Sequence, residues 1–158
     1  MNRADTINQL KNYFVIQEFV SPQVYDRYGD DAWQFFCTEL LETMLYIRTR
    51  INQPITINNW HVGGGFSQRG LRDNMTPIYR DKTLNRKLYL SGHVLGMAVD
   101  FDVKGMSATE VRYWLLRQEK NLPHKIRLED TLNMKPINWV HLDVKYLESN
   151  PKVYLFNA

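Results

Sequence analysis

Two short stretches of the chain carry residue types that can do chemistry together. In SGHVLGMAVDFDV, residues 91–103, a histidine stands seven positions ahead of an aspartate, with a glycine between them and an apolar run around the aspartate. In NWVHLDV, residues 138–144, a second histidine sits inside another alternating run. Side chains of a strand alternate between its two faces. Val99, Phe101 and Val103 therefore share one face of the first run, which leaves Ala98, Asp100 and Asp102 on the other. By the same parity Val140, Leu142 and Val144 oppose Trp139, His141 and Asp143, and in KIRLE (125–129) Ile126 and Leu128 oppose Lys125, Arg127 and Glu129. If these strands share a sheet whose apolar face meets a core, Asp100, Glu129 and His141 project together from the opposite face. His93 precedes the first strand, and Gly96 permits a sharp return of the loop between them. Two imidazole nitrogens and one carboxylate oxygen, with a water in a fourth place, are the ligand set of a catalytic rather than a structural zinc. The expected metal ligands are thus His93, Asp100 and His141, and the expected cofactor is Zn2+. Glu129 is placed to take a proton from a zinc-bound water, whose pKa the ion lowers toward about 7.

The elements that must position these groups follow from spacing and punctuation. With 158 residues, the chain reads as a single domain, 1–158, long enough to bury roughly 70% of its unfolded surface. The expected architecture is α+β: a mainly antiparallel sheet with helices on one face and the zinc site on the other. SPQVYDRYG begins with Ser21 as a cap and Pro22 at the first helical position and stops at Gly29, so it predicts a short helix. From Asp31 to about Ile51, Trp33, Phe36, Cys37, Leu40, Leu41, Met44 and Ile47 recur at steps of three and four, which predicts one longer helix with Trp33 and Cys37 in the core. PITINNW (54–60) predicts a strand, and the glycine-rich stretch 61–92 a long loop that is functional or partly helical. GMSATEVRYWLLRQEKNLP predicts a helix opened by a Ser107/Glu110 capping box and closed at Pro123. Strands at 125–129, 138–144 and 152–156 complete the pattern.

Charge and composition exclude several classes. The formal net charge is +3 and the sequence pI about 9.0. The basic residues are scattered apart from SQRGLRDN and the NRK at 85–87, which points to a solvated surface rather than a nucleic-acid stripe. One cysteine cannot form a disulfide within the chain. MNRADTINQL lacks the apolar core of about 7–15 residues that a secretion signal needs, so synthesis in the cytoplasm is expected. No run approaches the ~18–20 apolar residues of a membrane span. Neither nucleic acid nor membrane is an expected partner. His61 and His124 have no ligand-like context and read as ordinary surface or turn residues.

The first motif resembles the Ser-x-His-x-x-Gly-x-Ala-x-Asp pattern of the zinc D-Ala-D-Ala carboxypeptidase and L-alanyl-D-glutamate endopeptidase family, and WVHLDV resembles its second histidine strand. The similarity runs from about PITINNW to WVHLDV, over half the chain. That family includes bacteriophage endolysins and shares its metal-site fold with the hedgehog signalling domain. The resemblance implies zinc ligands at His93, Asp100 and His141, support of the first-ligand loop by Ser91, and hydrolysis of a peptide bond in the stem peptide of bacterial peptidoglycan. It further implies action on the cell wall after phage-mediated release or delivery, with incorporation into a virion as one route. Some members place the catalytic acid three residues before the second histidine, where this chain has Asn138. Others carry it at the end of the preceding strand, where Glu129 fits. Asp143 is the rival base, or else a group that orients a ligand. An arginine upstream of the first histidine holds substrate in the family; Arg72 is the candidate here and Arg69 the second, because a guanidinium fork grips a carboxylate or steadies an oxyanion. Trp139 either walls the pocket or packs. The departure at Asn138 keeps a second implication in view: a catalytically inactive virion structural or scaffold component that retains the fold, with or without the zinc.

Overall fold

Local signals decide the short helices. In the computed structural model, which describes residues 1–132, 135–145, 148 and 151–157, helix α1 (Arg3–Leu10) is opened by the Asn2 side chain, which accepts from the Asp5 N–H. Helix α2 (Pro22–Tyr28) starts where the Ser21 hydroxyl accepts from the Val24 N–H and stops at Gly29, whose φ of +51° suits a residue without Cβ. Helix α5 (Ala108–Arg117) opens with the expected reciprocal box between Ser107 and Glu110. The start and stop of α2 and the start of α5 lie where the sequence predicts them, because each is made by neighbours in sequence; α1 is not among the expected elements, and α5 ends at Arg117, short of the expected close at Pro123, with a separate 3₁₀ turn over Glu119–Asn121.

The chain is one α+β domain around a five-stranded mixed sheet of order β1-β2-β4-β3-β5, with β1 Ile55–Thr56, β2 Ala98–Val103, β3 Ile126–Leu132, β4 Lys135–Asp143 and β5 Val153–Asn157. The β1–β2, β2–β4 and β3–β4 pairings are antiparallel, and β5 adds to β3 in parallel. Val99, Phe101, Ile126, Leu128, Val140 and Leu142 line the buried face. They join one apolar cluster with Leu40, Leu41, Met44 and Ile47 of α3 (Thr38–Ile51) and Val111 and Leu115 of α5.

Two expectations about length are corrected by contacts distant in sequence. The single helix expected over Asp31–Ile51 is divided: Gly29–Phe35 forms a 3₁₀ turn, Phe36 and Cys37 are extended, and α3 begins only at Thr38. The loop that carries His93 docks into this break. The Cys37 N–H donates to the Gly96 carbonyl (3.0 Å), and Gly96, at φ +65°, lies so close to the Phe35 carbonyl that any Cβ there would overlap it. Cys37 is consequently half-buried at a helix start rather than enclosed within a helix, while Trp33 is buried as expected. The strand expected over 54–60 shrinks to Ile55–Thr56, because the Asn58 N–H goes to the Glu18 carbonyl (3.0 Å) and its side chain accepts from the Arg69 N–H (2.9 Å). Within the long 61–92 stretch, Pro77–Leu84 is helical (α4).

Glu18 provides a stability test. Burial pushes its carboxyl up to about 7, against a smaller lowering by the Val15 N–H that it accepts. A folded pKa above the unfolded one means the native state binds the extra proton, so stability is fullest below the unfolded value and falls as pH rises from about 4.5 to about 7. Glu18→Gln keeps the acceptor and removes the charge. With allowance for partial exposure, its melting temperature at pH 8 should exceed the parent's by roughly 2–4 °C and match it at pH 5. An equal shift at both pH values, read by calorimetry, would exclude the carboxylate as the cause.

Candidate metal centre

Strand register turns the parity of the sequence into a line of side chains. Asp100 pairs with His141, His141 with Glu129, and Glu129 with Phe156, so these four form one row across β2, β4, β3 and β5. The adjacent row is Ala98, Asp143, Arg127 and Tyr154. Both rows stand on the face opposite the apolar cluster, since residues two apart share a face. His93 reaches the first row from a tight turn in which the Ser91 carbonyl accepts from the Val94 N–H (3.1 Å) and the Gly92 carbonyl from the Met97 N–H (2.8 Å). The Ser91 hydroxyl also accepts from the Val94 N–H, at 3.4 Å.

His93, Asp100 and His141 converge, and each offers an atom that can bind a metal ion. His93 Nε2 lies 3.3 Å from His141 Nδ1 and 3.3 Å from Asp100 Oδ1, and His141 Nδ1 lies 2.7 Å from Asp100 Oδ1. Ligands on a tetrahedral zinc with bonds of about 2.0–2.1 Å stand roughly 3.3 Å apart. Two of the three edges fit that figure, and the third is a hydrogen-bond length. The outer partners select the nitrogens. His93 Nδ1 is 2.8 Å from the Gly70 carbonyl, which can only accept, so Nδ1 carries the proton and Nε2 turns its lone pair to the centre. His141 Nε2 faces Asp143 Oδ2 at 3.3 Å, which leaves Nδ1 for the centre. Asp143 is itself fixed by the Arg127 fork, with Nε on Oδ1 and Nη2 on Oδ2, both at 2.7 Å.

The electrostatics suit a cation. Burial would raise Asp100, but hydrogen bonds from His141 and His93 outweigh it and hold the carboxyl far below its ordinary value. Burial would likewise raise Asp143, yet His141 and Arg127 bring it down to about 2. Both aspartates are therefore charged at neutral pH. Burial lowers His93 and would lower His141, which the two aspartates instead push up to about 9. The pocket thus stabilises positive charge between Asp100 and the imidazoles. Glu129 differs from both aspartates. Its carboxyl is half-buried, is raised chiefly by burial, and has no hydrogen-bond partner among the described residues.

Arg72 is near the centre in a different posture from the one its substrate role implies. Its Nη2 donates to Asp100 Oδ2 (3.0 Å), Nη1 to the Tyr89 hydroxyl (2.8 Å) and Nε to the Gln68 carbonyl (2.8 Å). Turned inward on three sides, it braces the second oxygen of Asp100, a candidate ligand. Arg72→Lys keeps the charge but cannot hold three acceptors in one plane, so metal affinity should fall about 10–100-fold, read by chelator competition. An unchanged affinity would remove the bracing role. Arg69 lies elsewhere, paired with Asp102 and stacked 3.6 Å from the Phe66 ring centre.

Sequence reasoning did not single out Phe156, whose ring stands edge-on to His141 (5.9 Å) and beneath the Arg127 guanidinium (4.7 Å). Tyr89, the Gly70 carbonyl and the clamp by Arg127 were likewise beyond it; only Arg127 had a signal, its parity with Glu129. Asn138 is exposed, and Trp139 is half-buried with its carbonyl taken by Arg112. His61 and His124 stand apart from the centre, His124 paired with Glu42 and His61 packed edge-on to Trp60. No helix among the described residues is long and apolar enough to cross a membrane. In comparison with known proteins, no family model matches the chain, and neither a curated protein nor a solved structure matches it.

Proposed function

We propose that the chain is a zinc-dependent peptidase that hydrolyses a peptide bond in the stem peptide of bacterial peptidoglycan. The observation that carries this reading is the convergence of His93 Nε2, His141 Nδ1 and Asp100 Oδ1 in one row with a carboxylate, Glu129, that no hydrogen bond from the described residues occupies. Two histidines and one carboxylate suit zinc and leave a coordination place open. Bound zinc supplies Lewis acidity and a water acidified toward about 7. Glu129 takes a proton as the water oxygen bonds to the scissile carbonyl carbon. It returns that proton to the leaving amine nitrogen as the C–N bond breaks. Asp143, clamped by Arg127, keeps the His141 ring in place through these transfers, and Arg72 does the same for Asp100. The choice of peptidoglycan rather than another peptide rests on the resemblance of SGHVLGMAVD and WVHLDV to the carboxypeptidase and endopeptidase motifs.

Muropeptides incubated with purified, zinc-loaded protein and weighed by mass spectrometry test the proposal, since the mass lost names the bond. Loss of a terminal alanine identifies a carboxypeptidase, and two complementary fragments identify an endopeptidase. A second reading, a fold and metal site kept for binding in a virion, rests on Asn138 standing where some members of the family carry the acid. Intact muropeptides from several wall chemistries would overturn the peptidase and favour that second reading.

A further inference from the structure

The formal surplus of positive charge is not spread over the molecule. Residues 74–99 contain Arg80, Lys82, Arg86 and Lys87 against a single acid, Asp81, a surplus of three that equals the net charge of the whole chain. The remaining residues balance, sixteen basic against sixteen acidic. The same segment displays the most exposed leucines among the described residues: Leu88 is 86% exposed, Leu84 82% and Leu90 57%. Helix α4 buries none of its eight residues. A helix this short is marginal in water on its own, and it ordinarily owes its stability to an apolar face packed on a core. Here Ile78 and Tyr79 are only half-buried and Leu84 faces outward. Tyr89 turns inward to the Arg72 fork, with its ring edge-on to Tyr79 (5.8 Å), while Leu88 and Leu90, one residue to either side, stay exposed. Asp81 is hydrogen-bonded to the Asn85 amide (3.1 Å) beside the exposed cations Arg80, Arg86 and Lys87.

We infer that this segment docks the protein on an anionic lipid bilayer surface. Cations alone would fit any polyanion, but a polyanion leaves three leucines in water. Leucines at the acyl boundary with lysines and arginines at the headgroups satisfy both sets at once, the pattern of an interfacial anchor. This departs from the solvated reading of the basic residues and from the expectation of no membrane partner, and it stands independently of any turnover at the metal centre. Because Tyr89 ties the segment to Arg72, docking also fixes how the centre is presented to the surface.

The full chain should cosediment with phosphatidylglycerol/phosphatidylcholine vesicles, weakly or not at all with phosphatidylcholine alone, and progressively less as salt rises. The double variant Leu84→Ser/Leu88→Ser should weaken that binding roughly tenfold, and Arg86→Gln/Lys87→Gln at least as much. Both pairs are exposed, so far-ultraviolet circular dichroism and zinc content should match the parent. Absence of binding to the anionic vesicles, or equal binding to the neutral ones, would overturn the inference. So would leucine variants that bind like the parent while heparin displaces both, which would make the segment a polyanion surface.

Discussion

Glu129→Gln is expected to leave zinc bound and to lower muropeptide hydrolysis by about 10²–10⁴-fold, the usual worth of a positioned acid/base group. Glutamine preserves the size and one acceptor of the side chain but cannot carry a proton at neutral pH. The expectation rests on what Asp143 and Glu129, the two candidate bases, are doing. Asp143 accepts from both arms of Arg127, faces His141 Nε2 and accepts from the Lys145 N–H (3.1 Å), so a proton placed on it would break that clamp. Glu129 shares the row with His141 and Asp100 and has none of these commitments among the described residues. Asp143→Asn should therefore cost less, about 10–100-fold, chiefly through a loosened His141 and weaker metal binding, with part of the loss recovered by added zinc. The two variants are to be assayed together at saturating zinc with metal content measured on the same samples. A dead Asp143→Asn beside a nearly unchanged Glu129→Gln would reverse the assignment of the base and leave the peptidase reading standing.

The largest effect on the molecule itself is expected from Asp100. Alanine there removes the partner of His141 (2.7 Å), of His93 (3.3 Å) and of the Arg72 guanidinium (3.0 Å) in one step. Asp100 is 6% exposed, so Arg72 would be left in a poorly hydrated pocket facing two imidazoles. Stripping one member from a buried charge pair costs about 3–5 kcal/mol. Denaturant titration of chelator-treated protein should show a loss of that size for Asp100→Ala and a smaller one for His93→Ala or His141→Ala, each of which leaves the Arg72–Asp100 pair intact. All three should also lose metal affinity by more than the 10–100-fold typical of an outer partner. Asp100→Asn, which keeps the shape and one acceptor but not the charge, separates the two readouts: it should lose less stability than the alanine variant and bind metal as poorly. Full zinc occupancy in all three alanine variants would remove the metal assignment.

Much of this centre was legible in the sequence because the information was local. Alternation within AVDFDV, KIRLE and NWVHLDV put Asp100, Glu129 and His141 on one face, and strand geometry guarantees that relation within each strand. The caps at Ser21 and Ser107 and the stop at Gly29 were readable for the same reason: their hydrogen bonds join residues only a few positions apart. What periodicity could not decide was which strands are neighbours and in what register. The row Asp100–His141–Glu129–Phe156 depends on pairings across large sequence separations, and the place of Phe156 depends on β5 entering parallel to β3. Nor could it show that Gly96 would be pressed against Phe35 and divide a helix whose apolar stripe ran on unbroken. The posture of Arg72 belongs to the same class. Its type and position suggested a free fork in a polar loop, but the acceptors that turn it inward, on Asp100 and Tyr89, arrive from 28 and 17 residues away. Residue types and their parity within a strand determined which groups can offer atoms to a metal ion and which carboxylates share their face; long-range packing alone decided which nitrogen faces the centre, which carboxylate is clamped by Arg127 and which has no hydrogen-bond partner among the described residues.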